Sequence, residues 1–139
     1  MGMYITKFKK PSKPQKNTSK REATRQQRLL IHLLQKNADQ VEQNILEIWK
    51  KLQQDAENNA RKKSFEHQDL NAKCLMDTEL LFIDIFLDAD KVKQFGHPQA
   101  KMIERDIHLL YDNLGAVHTK YREVYEIHDT KLYNEREIN

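Results

Sequence analysis

Residues that break regular structure are scarce in this chain. Its 139 residues include only 3 glycines and 3 prolines. Pro11 and Pro14 both fall in the first fourteen residues, so the rest of the chain has few places to turn. That scarcity favours a few long helices over many short strands. There is one cysteine, Cys74. A single thiol builds neither an intrachain disulfide nor a zinc site, and it predicts a reducing, cytosolic setting. No apolar run approaches the roughly 20 residues that span a bilayer, and no signal-peptide core follows Met1. No glycine-rich phosphate loop is present.

The chain is long enough for one domain with one core. Charged residues make up 32%, which suits long helices with solvated outer faces. Hydrophobic residues make up 38%, and their periodicity argues against disorder everywhere but the N-terminus. Net charge is +3 but unevenly placed. Residues 1–21 hold Lys7, Lys9, Lys10, Lys13, Lys16, Lys20 and Arg21, with no acid. Taking these seven from 24 basic residues leaves 17 against 21 acids, so the body from Glu22 onward carries about −4.

Residues 1–21 show no helical period, and their Lys, Pro, Ser and Asn content predicts a disordered basic arm. Thr18 or Ser19 can cap the first helix, with Glu22 completing a capping box on Ser19. The first helix is expected over about 21–62, with the stripe Ile31, Leu34, Ala38, Val41, Ile45, Ile48, Leu52 and Ala56 in steps of three and four. A break follows between about 58 and 66. The second helix is expected over about 65–95, with Leu75, Phe82, Ile85, Phe86, Ala89 and Val92 as its main face. Leu80, Leu81, Ile83 and Leu87 widen its apolar arc, so this segment should be covered on two sides. Leu29, Leu30 and Leu33 widen the first helix in the same way. Either these arcs cover each other inside the bundle, or they meet a partner.

Gly96 fits the left-handed position past a helix end, and Pro98 fits the first turn of the next helix, with His97 as N-cap. The third helix is expected over about 98–133, striped by Ile103, Ile107, Leu110, Leu114, Val117, Tyr121, Val124 and His128. Gly115 lies within it, either for close helix approach or for no structural reason. Residues 135–139 should fray. The fold class is therefore all-α: an elongated, antiparallel, spectrin-repeat-like three-helix bundle over residues 22–134, preceded by the arm.

No constellation supports catalysis. The six histidines are scattered along the helices. Glu104 and His108 share a face, but a metal site needs at least three converging ligands. Asp84, Asp88 and Asp90 do not lead into the glycine-containing loop of an EF-hand. Cys74 lies near the core face and reads as a structural thiol. The expectation is a non-enzyme with no cofactor, no metal and no small-molecule substrate.

The arm carries the more useful signal. Gly2 and Thr6 satisfy the short N-myristoylation pattern. The seven cations from Lys7 to Arg21 suit an anionic membrane surface or another polyanion, and the alternative is a solvated tail. Nucleic acid is not expected as a partner, because the arm has no arginine-rich or stacking platform and the acidic body repels phosphate.

Several segments together resemble one family. They are QKNADQVEQNILE at Gln35–Glu47, KLQQD at Lys51–Asp55, DIFLDADK at Asp84–Lys91, HPQA at His97–Ala100 and KYREVYE at Lys120–Glu126. In order and spacing they resemble the extreme N-terminal head of the plakin family over about residues 30–126. The resemblance implies a cytoskeletal linker joining intermediate filaments to junctions and the cell cortex. It implies other plakin-type or junctional proteins as partners, and a cytoplasmic location at cell junctions under the plasma membrane. Desmosomes and the cornified envelope of keratinising epithelia are the setting it implies. These 139 residues hold no further repeat array, SH3 insertion, dimerising rod or plakin-repeat tail, so filament binding and rod dimerisation do not carry over to them. The alternative function is a free-standing helical adaptor that binds a partner helix, or a polyanion through the arm.

Overall fold

The computed structural model of the chain describes residues 21–126, with side chains from Arg25 onward. It contains α1 at Arg21–Ala60, α2 at Gln68–Gln94 and α3 at Ala100–Tyr125. Each helix packs on the other two, and short connections make them run up, down and up as a spectrin-like three-helix bundle. The 40 residues of α1 reach about 60 Å at 1.5 Å per residue.

The apolar stripes of α1 and α3 form most of the core. Ile31, Leu34, Ala38, Val41, Ile45, Ile48 and Leu52 are buried on α1, and Ala56 packs partly buried at the end of the same face. On α3, Ile103, Ile107, Leu110, Leu114, Val117 and Val124 are buried, while Tyr121 is half-buried against the core. His128 lies outside the described residues. Truncating a fully buried member such as Ile45 or Leu110 to alanine removes about 2–5 kcal/mol, from lost burial and the cavity left behind.

Helix α2 departs from the expected burial. Leu75, Phe82, Ile85 and Val92 face the core, but Phe86 is 57% exposed. Leu80, Ile83 and Leu87 are exposed by 58%, 52% and 54%. Both neighbouring helices lie on one side of α2, so nothing described covers its far side. Leu29 and Leu33 at the start of α1 are exposed as well. Of the residues that widen the two arcs, Leu30 and Leu81 pack partly buried against the core, and the others are not covered inside the bundle.

Both connections begin with a Schellman closure. The Gly96 amide donates to the Lys93 carbonyl at 3.0 Å and the His97 amide to the Val92 carbonyl at 3.3 Å, with Gly96 at φ +68°. The Lys62 and Lys63 amides do the same to the carbonyls of Asn59 and Asn58, with Lys62 at φ +58°. After Gly96 the chain makes one further turn before α3 begins. The imidazole Nδ1 of His97 accepts the Gln99 amide at 3.1 Å, and the His97 carbonyl accepts the Ala100 amide. His97 thus caps this turn, and Gln99, not His97, occupies the N-cap position of α3.

The two described glycines behave oppositely. A Cβ at Gly115 would meet nothing within 4 Å, so this residue serves no close helix approach. At Gly96 space is also open, but the left-handed backbone disfavours any L side chain. We predict that Gly115→Ala stabilises the bundle by about 1 kcal/mol and that Gly96→Ala destabilises it by about 1–2 kcal/mol. Urea melts followed by circular dichroism check both signs.

Candidate functional site

The most highly organised polar site closes one end of the bundle. Its centre is Asp55, in the last turns of α1. The heptad continuation of Ile48 and Leu52 brings this carboxylate onto the core face, and it is fully buried. The end of α1, the start of α2 and the end of α3 meet there, and each contributes.

Asp55 accepts from four donors. Oδ1 takes the Glu66 amide at 2.9 Å and the Asn58 side-chain amide at 3.3 Å. Oδ2 takes the His67 amide at 3.0 Å and the Tyr125 hydroxyl at 2.6 Å. Two oxygens with about four lone-pair sites are thereby satisfied. Tyr125 in turn accepts from the Asn71 side-chain amide at 2.9 Å. Phe65 and Tyr121 stack edge-on against the Tyr125 ring, with centroids 4.9 and 4.8 Å away.

This arrangement also explains where α2 begins. The chain has no Ser, Thr, Asp or Asn at its N-cap, which is His67 and makes no side-chain cap bond. Asp55, from another helix, instead fixes the two residues that lead into α2 by accepting the Glu66 and His67 amides. Its negative charge also sits favourably at the positive end of the α2 dipole. Helix α2 consequently starts at Gln68, and Phe65 packs as a loop residue on Tyr125 instead of joining the helix.

Burial pushes the Asp55 carboxyl up, but the hydrogen bonds from Tyr125, Glu66, His67 and Asn58 outweigh it and hold the group below its ordinary value of 3.8. Burial pushes the Tyr125 hydroxyl up, and its hydrogen bond to Asp55 pushes it further, against the opposite pull of Asn71. Tyr125 therefore stays a protonated donor at neutral pH. Tyr121 is also raised, by burial and then by the charge of Asp69.

The site is a structural latch. Tyr125 is not a member of the expected α3 stripe, and neither Asp55 nor Asn71 is among the residues that periodicity assigns to the core. Tyr125 is in fact buried, while Tyr111 is exposed. The available signal was a polar residue at a stripe position: Asp55 follows Leu52 by three, and Asn71 precedes Leu75 by four. Elsewhere, Glu104 lies 3.9 Å from Lys93 as an exposed ion pair. Cys74 is half-buried against the core, and its carbonyl accepts the Thr78 hydroxyl at 2.6 Å.

Among the described residues, no three His, Cys, Asp or Glu side chains cluster as metal ligands. No described helix is long and apolar enough to cross a membrane. Of the residues expected to contact membrane or polyanion, Arg21 is the first residue of α1. Lys7, Lys9, Lys10, Lys13, Lys16 and Lys20 lie outside the described residues, as does Gly2.

The profile of the family described as "Periplakin spectrin-like repeat" matches residues 34–126. Periplakin of Homo sapiens is 36% identical over 98 residues, and periplakin of Mus musculus 35% identical over 98 residues. Each match covers 70% of this chain, which spans only about 6% of the length of these relatives. No solved structure matches the chain.

Removing the carboxylate strands two backbone amides and a buried hydroxyl. Asp55→Ala is expected to destabilise the bundle by about 3 kcal/mol in urea melts. Because the folded pKa is lowered, the ionised group contributes fully above the ordinary carboxylate range. That contribution is lost as pH falls through the depressed folded value. The urea midpoint should therefore drop as pH is lowered below about 4, and Asp55→Asn should show a smaller drop than the parent.

Proposed function

The chain belongs to the plakin family as a periplakin-type spectrin-like repeat, and from that premise we propose that it is the junction- and membrane-directed head module of a cytoskeletal linker. One observation carries the reading. The family match begins in the α1 stripe at Leu34 and ends at Glu126, just past Tyr125, so it takes in the core of all three helices and the latch that closes them. Such a module works by holding position. It is a bundle about 60 Å long whose end is locked by a buried hydrogen-bond network.

Within the family, KLQQD, DIFLDADK and HPQA resemble envoplakin, and LQKNADQVE at Leu34–Glu42 resembles periplakin. The finer proposal is an envoplakin-like linker at the cell cortex of stratified epithelia. There it meets other plakin-type or junctional proteins and connects toward intermediate filaments. Expression of the tagged chain in confluent keratinocytes tests this reading. Enrichment at cell–cell borders supports it, and a uniformly diffuse signal contradicts it.

The arm supplies the proposed membrane contact. Lys7, Lys9, Lys10, Lys13, Lys16, Lys20 and Arg21 add attraction to anionic lipid, each worth up to about 1 kcal/mol near the surface. Acylation at Gly2 would add a second signal. Unacylated protein should sediment with phosphatidylserine-containing vesicles. Each Lys→Gln change in the arm is expected to weaken binding by up to about fivefold, the equivalent of about 1 kcal/mol. Removing residues 1–20 should abolish sedimentation and leave helicity intact. Equal binding by the truncated chain would show that the arm is not the contact.

A further inference from the structure

The outer face of α2 has an apolar seam with no partner in the bundle. Met76, Leu80, Ile83 and Leu87 follow one another at steps of four, three and four and are 52–64% exposed. Those steps keep them in one line, on the side of the helix away from the buried line of Asn71, Leu75, Thr78 and Phe82. A contiguous apolar line on a solvated helix marks an interaction surface. Between Met76 and Leu87 its borders carry one sign of charge, with Lys73 and Lys91 just beyond its two ends. Asp77, Asp84 and Asp88 lie along one side, Glu79 and Asp90 along the other, and residues 74–90 include no Lys or Arg. The face therefore fits a ligand that is apolar along its centre and basic around it.

We propose that the chain's own arm, residues 1–20, docks in cis along this face of α2. The arm has the matching composition. Met3, Tyr4, Ile5 and Phe8 supply apolar side chains, and Lys7, Lys9, Lys10, Lys13, Lys16 and Lys20 supply cations with no acid among them. Its reach is sufficient. Asp55 binds the start of α2, and α1 runs 34 residues back from there to Arg21, about 51 Å. The 27 residues of α2 cover about 40 Å, so Arg21 overhangs the far end of α2 by about 10 Å. Leu87 lies about 10 Å, and Met76 about 27 Å, back from that end. The span to be bridged is therefore about 20–37 Å, and the thirteen residues from Phe8 to Arg21 extend to about 45 Å.

A second copy of the chain fits the face less well. Pairing two α2 seams would bring Asp77, Asp84 and Asp88 near their own counterparts, and like charges at a contact oppose association. The arm instead meets the acids with opposite charge over a short intramolecular distance, which raises its effective concentration. Anionic lipid would then compete with α2 for the same lysines, so the docked arm is the membrane-free state of the chain. The inference concerns the arm without lipid and does not depend on the membrane reading.

Zero-length carbodiimide cross-linking of the full chain, read by mass spectrometry on the monomer fraction, tests it. The expected result is amide bonds from Lys7–Lys16 to Asp77, Asp84 or Asp88, in excess over bonds to exposed acids of α1 such as Asp39 and Glu47. The double variant Leu80→Ser/Ile83→Ser alters only exposed side chains and should keep its helicity. It should lower these cross-links by about tenfold, as should about 1 M salt. Arm lysines distributed evenly over all exposed acids would overturn the proposal. So would cross-links that survive the double variant. Cross-links confined to a dimer fraction would also overturn it and assign the face to a second copy. Loss of vesicle binding with these cross-links intact would count against the membrane reading alone.

Discussion

The structure depends on one buried carboxylate. Asp55 joins the ends of α1 and α3 through the Tyr125 hydroxyl at 2.6 Å and the start of α2 through the Glu66 and His67 amides. Burying an ion is costly unless every acceptor site is used, and here four donors use them. The consequences spread outward. Asp55 holds the two residues that lead into α2, the 61–67 connection is pinned back onto the bundle, and Tyr125 is drawn into the core at the end of α3. The apolar seams hold the helices together along their length, and this network sets their register at one end.

Much of the fold was legible because two helices are plainly one-sided. The stripes from Ile31 to Leu52 and from Ile103 to Val124 predict the buried residues of α1 and α3 almost position by position. Gly96 announces its own left-handed turn. The second helix was harder. Its apolar residues lie on two opposite faces, so periodicity alone does not say which face is the core, and Phe86 was assigned to the wrong one. The latch was less legible still. An Asp at a stripe position reads as a helix end until tertiary structure brings Tyr125, seventy residues later, within hydrogen-bond reach. Polar residues at seam positions, Asp55 and Asn71 among them, were the signal, and a count of apolar spacing passes over them.

These features suit a repeat in a plakin-type linker. A polar network at one end, with its central carboxylate fully hydrogen-bonded, resists rotation of one helix past another better than apolar contact alone, because apolar contact has no direction. The two-sided α2 adds something the bundle itself does not require. An apolar line bordered by acids is costly to leave in water and gives nothing to the described core. The basic arm has the composition to answer it.

The central claim is that Asp55 and Tyr125 act as a coupled pair that locks the bundle end. A double-mutant cycle with Asp55→Asn and Tyr125→Phe, measured by urea unfolding at pH 7, tests it most directly. The account predicts that the second substitution costs little once the first is made, with a coupling energy of about 1.5 kcal/mol or more. Losses that add to within about 0.5 kcal/mol would show that the two side chains contribute independently, and would contradict the account.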